Sequence, residues 1–163
     1  MDSVLNRQTG AIGLLVLVGV GALLYFTVLS GPAVKDVVDP IKAAVAAAKE
    51  QDPPGELVLA DVTSFAWDEV FVFGPYTALE RINEALGESF GAASMAQIHE
   101  RDDIVVLVFR RGGKVLVKAP FPRSDGDFAA SSRLEPIANT AARFELIPLA
   151  SDPNWVNLSL TYN

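Results

Sequence analysis

Residues able to do chemistry fall in a few short stretches of this 163-residue chain. Trp67-Asp68 and Phe73-Gly74-Pro75-Tyr76-Thr77 are the most distinctive. An indole beside a carboxylate, followed by a phenol held between Pro75 and Thr77, could line a groove for a peptide or small ligand. The structural alternative places Trp67, Phe71 and Phe73 on one face of a core strand, with the Tyr76 hydroxyl satisfying a buried neighbour. Gly87-Glu88-Ser89-Phe90-Gly91 has the spacing of a serine nucleophile elbow. That device requires a strand turning into a helix, whereas this stretch follows a helical pattern, and His99 comes after the serine with no acid between them. A glycine-rich loop is the expected reading. A small hydrolase-like enzyme using Asp68 and Tyr76, or the His99 cluster, is the competing class.

His99-Glu100-Arg101-Asp102-Asp103 gathers one imidazole and three carboxylates. A catalytic zinc takes two or three nitrogen or sulfur ligands, and the chain has no second histidine and no cysteine, so a solvated loop is expected and no metal is assigned. Ser124-Asp125-Gly126-Asp127 resembles a fragment of a calcium loop but lacks the later glutamate, which leaves a turn. No phosphate-binding glycine loop or dinucleotide fingerprint occurs, and no cofactor is assigned. Thirteen basic against twenty acidic residues give a net charge of -7, which argues against capture of nucleic acid or of an anionic lipid surface.

The elements that must position these residues are legible from periodicity. Leu57–Val62 and Phe65–Phe73 read as strands, the second apolar on both faces beyond Glu69 and therefore central. Thr77 and Glu80 match a capping box and Gly87 a left-handed stop, which predicts a helix from Ala78 to Leu86. Ile104–Phe109 and Lys114–Lys118 flank Gly112-Gly113, a tight hairpin. Arg143–Leu149 and Trp155–Tyr162 flank Asp152-Pro153-Asn154 and make a second hairpin, with Val156, Leu158, Leu160 and Tyr162 on its core face. The expected fold is α+β: an antiparallel sheet of hairpins with one main helix on a face.

Ahead of this domain, Ala11 to Leu29 contains no charge and only glycines and one Thr interrupt it. As a helix these nineteen residues extend ~28 Å, the thickness of a bilayer hydrocarbon core. A single-pass anchor is expected over residues 1–33, with a cleaved signal peptide as the alternative. Arg7 precedes the run and Lys35, Lys42 and Lys49 follow it, so charge does not fix orientation; a long following domain often translocates regardless, which favours an extracytoplasmic location. Asp39 and Pro40 suit a helix start and residues 41–50 are alanine-rich, so residues 34–55 read as a helical stalk ended by Asp52-Pro53-Pro54-Gly55. The globular domain is then 56–163, with nine basic and fifteen acidic residues.

Four blocks occur in order: Phe65-x-Trp67-Asp68, Phe73-Gly74-Pro75-Tyr76-Thr77, Val106–Phe109 with Gly113-Lys114-Val115, and Phe121-Pro122-Arg123-Ser124-x-Gly126-Asp127-Phe128. Together they resemble a family of short bacterial envelope proteins of unassigned function, many with a lipoprotein signal or membrane anchor. The resemblance implies an envelope location and supplies no activity. This chain departs from the lipoprotein members in having no cysteine to acylate. Arg123 and Asp127 are expected to form an ion pair closing the loop after the hairpin. The resulting expectation is a membrane-anchored extracytoplasmic binding module with no catalysis of its own. Its candidate binding residues are Trp67, Asp68, Tyr76, Arg123 and Asp127. Its partners would be the bilayer, through residues 11–29, and an envelope protein.

Overall fold

Strand β2 (Glu69–Phe73) organises the molecule because both of its faces are apolar, and every residue after Glu69 is buried. The computed structural model describes residues 31–91 and 97–161. In it β2 lies between β3 (Ile104–Arg111) and the two-residue β5 (Ile137–Ala138), and β3 pairs on its other side with β4 (Lys114–Pro122), giving an antiparallel sheet of order β4-β3-β2-β5. A second antiparallel sheet joins β1 (Glu56–Val58), β6 (Arg143–Leu149) and β7 (Asp152–Leu160) in the order β1-β6-β7. The class is α+β, with two sheets in place of the single one expected.

The alternation of β2 and β3 assigns their side chains to two cores. Val70, Val72, Val105 and Leu107 join Phe121, Phe128 and Phe144 on one face. Phe71, Phe73, Val106 and Val108 meet Ile82, Leu86, Phe90 and Ile98 on the other. Helix α3 (Leu79–Leu86) covers the second face through Ile82 and Leu86 and stops at Gly87, which adopts φ 68° as expected of a left-handed cap. The capping box does not form: Ala78 precedes the helix with no side-chain cap, and the Thr77 hydroxyl instead donates to the Gly74 carbonyl at 2.7 Å. Thr77 is spent on closing the turn before the helix.

The expected stalk is corrected. Helix α1 (Val34–Lys49) begins six residues earlier than the Pro40 signal suggests, and its Val37, Ile41, Val45 and Ala48 are buried in the first core. The compact unit runs from Pro32 to Asn163, so this helix is a layer of the domain and not a spacer. Pro40 removes one backbone hydrogen bond from the helix interior, but the stripe at i, i+4, i+8 and i+11 holds the element against the sheets. Its alanines looked uninformative because small side chains carry little hydrophobic signal while permitting close approach. The first predicted strand also ends early, β1 giving way to a single helical turn α2 (Leu59–Val62). No helix among the described residues is long and apolar enough to cross a membrane, and the Ala11–Leu29 run lies outside those residues.

Both hairpins form. Gly112 and Gly113 take φ of 54° and 75° between β3 and β4, the left-handed pair that a two-residue turn demands. The β6–β7 turn falls at Ala150-Ser151, so Asp152-Pro153-Asn154 begins β7 instead of forming the turn. Val156 and Leu158 are buried and Leu160 half-buried, matching the expected core face; Tyr162 lies outside the described residues. The outer edge of β7 is occupied: the Asp127 backbone bonds to Val156 and Leu158, while the Ser131 hydroxyl donates to Leu158 and accepts from the N–H of Leu160. A long exposed strand edge is thereby withdrawn from pairing with other chains.

Candidate functional site

The four-stranded sheet separates the sequence candidates into two groups. Asp68 precedes β2 at the end where β3 turns into β4. Its carboxylate accepts from the Gly112 N–H at 2.6 Å, its own N–H donates to Arg110, and its carbonyl accepts from Asn139. Tyr76 follows β2 at the opposite end. Five strand residues at ~3.3 Å each place about 17 Å between these positions, so Asp68 and Tyr76 share no groove.

Trp67 is not a surface residue. It is 5 % exposed, packs edge-on against Phe109 with ring centres 5.0 Å apart, and donates its indole N–H to the Thr63 hydroxyl at 2.8 Å. It sits in the first core, whereas Phe71 and Phe73 face the second, so the three aromatics do not share a face as the alternation suggested. The reason is that β2 starts only at Glu69; Trp67 lies before the strand, where the period of two does not apply.

Tyr76 corrects the expectation of a buried, satisfied phenol. It is 63 % exposed, and its hydroxyl has no hydrogen-bond partner among the described residues. Its backbone occupies φ 59°, a left-handed conformation that costs a non-glycine residue about 1 to 2 kcal/mol. The conformation is held by its N–H, which donates to Ile98 at 2.9 Å, and by the Gly74 turn, where Gly74 N–H donates to the Ser132 hydroxyl at 2.9 Å. A Cβ at Gly74 would fall 2.7 Å from that hydroxyl oxygen, so only glycine fits the block at this point.

Arg123 and Asp127 lie at the same end and form the expected pair. Arg123 Nε and Nη2 donate to the two carboxylate oxygens of Asp127 at 2.9 and 2.8 Å, a bidentate fork. Asp127 is 4 % exposed and also accepts from the Ala129 N–H. Arg123 Nη1 donates to the Asp102 carbonyl, and the guanidinium stands over the Trp155 ring with 5.5 Å to its centre. The hydrogen bond to Asp127 holds the Arg123 pKa above its ordinary value against the opposing effect of burial, with the charges of Asp127 and Asp102 adding to it.

The structure thus brings Tyr76, Arg123 and Asp127 to one end and adds Trp155, which sequence reasoning placed only as a strand residue. The missing signal was spatial: Trp155 is thirty-two residues from Arg123, and only the closure of β7 over Asp127 brings the two together. The His99 turn (Ile98–Glu100) joins the same end through Ile98, and among the described residues His99 pairs with Glu100, at 3.4 Å. Among the described residues no three His, Asp or Glu side chains are grouped to hold a metal ion. The Gly87–Gly91 stretch follows α3 and not a strand, so the context a nucleophile elbow needs is lacking. Comparison with protein families, with curated proteins and with solved structures finds no match.

Proposed function

We propose that this chain is a membrane-anchored binding module of the cell envelope, held by residues 11–29, with its folded unit outside the cytoplasm and its recognition surface at the Tyr76 end of the four-stranded sheet. The observation that carries the surface is Tyr76 itself, a large ring that is 63 % exposed on a strained backbone at the same end of the sheet as Arg123. Strain of this kind persists where the surroundings over-determine it, commonly where a side chain must be presented. Tyrosine, tryptophan and arginine are also the residues that dominate binding energy at protein interfaces. The likeness of the four sequence blocks to short envelope proteins supports the location, as does the length of the apolar run.

Helix α1 belongs to the domain, so only Ser30 and Gly31 separate the apolar run from the folded unit in sequence. The location is tested by fractionating cells that make the tagged full chain and measuring the mature mass. Recovery in the membrane fraction at full mass, with the domain open to external protease, supports the anchor. A soluble cytoplasmic chain refutes it, and loss of about the first thirty residues replaces the anchor by a signal peptide.

A further inference from the structure

A second site lies between the start of α3 and the loop that follows the Ala129–Ser131 turn. A cavity of about 360 Å³ opens there, walled by Thr77, Ala78, Arg81, Ser132, Arg133 and Leu134. Its lining has two guanidiniums and no carboxylate, in a chain that carries seven more acidic than basic groups. Arg81 forms no ion pair among the described residues. Arg133 Nε, a buried atom of a half-buried side chain, forms only a long ion pair with the largely exposed Glu135 at 3.7 Å and has no hydrogen-bond acceptor among the described residues. A buried N–H without a hydrogen-bond acceptor carries a desolvation cost that a bound acceptor would relieve. The Ser132 hydroxyl, held by the Gly74 N–H, fixes the loop so that the arginine is placed and not merely tethered.

We propose that this cavity binds a small molecule bearing a phosphate or carboxylate group, with the anion between Arg81 and Arg133 and a compact body against Leu134. Planar guanidiniums match both groups by paired N–H donors, and the volume suits a small organic anion rather than a bare ion. The site is independent of the anchor and adjoins the Tyr76 turn through Thr77 and the Gly74–Ser132 hydrogen bond.

The test follows backbone amide shifts of the labelled full chain in nonionic detergent while three probes are titrated separately: inorganic phosphate, phenyl phosphate, and phosphatidylglycerol mixed into the micelles. The expected result is saturable movement of the Thr77–Arg81 and Ser132–Leu134 amides. Phenyl phosphate should bind more tightly than phosphate, and Arg133→Gln and Arg81→Gln should each weaken binding at least tenfold. Arg81 is exposed, so its variant keeps the fold and carries the test even if Arg133→Gln does not. Arg133→Lys, which keeps the charge and loses the fork, should fall between. A response to phosphatidylglycerol alone with the same arginine dependence assigns the anion to a lipid headgroup. No movement with any probe, or movement unaltered by both glutamine variants, overturns the proposal.

Discussion

At the hairpin end of the four-stranded sheet, Asp68 spends its carboxylate on the Gly112 N–H, and Arg110 bonds to the Gly113 carbonyl while pairing with Glu69 at 3.3 Å. At the other end, Tyr76 stands in solvent on a left-handed backbone, and Arg123 faces Trp155 while anchored from beneath by Asp127. Both ends hold an Arg–carboxylate pair, yet only the second presents a largely exposed aromatic ring, Tyr76. At the first end polar groups close a turn; at the second the Tyr76 hydroxyl has no hydrogen-bond partner among the described residues. An exposed aromatic is informative when its support is this specific, because scattered surface apolar residues need no explanation.

The contrast can be broken by substitutions whose costs differ in origin. The largest should come from the core beneath the hairpin end. Trp67→Ala removes a buried ring packed on Phe109 and should cost about 3 to 5 kcal/mol in denaturant unfolding of the full chain in detergent. A loss below about 1 kcal/mol would mean that the ring is not buried as described. Next, Arg123→Ala strips the bidentate partner from a carboxylate that is 5 % exposed and leaves it only the Ala129 N–H, at an expected cost of about 2 to 4 kcal/mol. Asp68→Ala, which frees one turn N–H at an exposed site, should cost about 1 kcal/mol.

How much of this was legible in sequence follows the range of the forces involved. Both hairpins, the central position of β2 and the Gly87 stop were readable because alternation and positive φ are local properties. The Arg123–Asp127 pair was readable for the same reason, its partners being four residues apart. Helix α1 was misplaced because its buried stripe of Val37, Ile41, Val45 and Ala48 is too small in side-chain volume to stand out from a spacer. The core position of Trp67 was readable, but the face it joins and the exposure of Tyr76 were not, for a different reason. Each flanks β2 outside its regular span, where no period assigns a face, and tertiary contacts with Thr63, Phe109 and Ile98 decide. The arginine-lined cavity was invisible because Arg81 and Arg133 are fifty-two residues apart.

A smaller effect sharpens the electrostatics near the Tyr76 end. Arg101 donates to Asp103 at 2.7 Å, and this hydrogen bond holds the Asp103 carboxyl below its ordinary value. The sign follows: the interaction contributes above the ordinary aspartate value of about 3.9 and is lost as pH falls through the lower folded-state value. Carboxyl carbon shifts of the labelled chain should therefore titrate below about 3.9 for Asp103, and Arg101→Gln should return the midpoint toward it. Stability near neutral pH should hardly change, because the carboxylate is solvent-exposed.

The difference between the two ends is tested most directly by placing a photo-crosslinking residue at position 76 in one full-length variant and at position 111, on the exposed hairpin, in another. Both variants would be irradiated in intact cells, alongside a Tyr76→Phe chain whose stability should lie within about 0.5 kcal/mol of the parent. The expected result is a discrete adduct with an envelope protein from position 76, none from position 111, and weakened retention of that same protein by Tyr76→Phe. Adducts of equal yield from both positions, or none from position 76 in a correctly folded and membrane-located chain, would contradict the assignment of Tyr76 to a recognition surface.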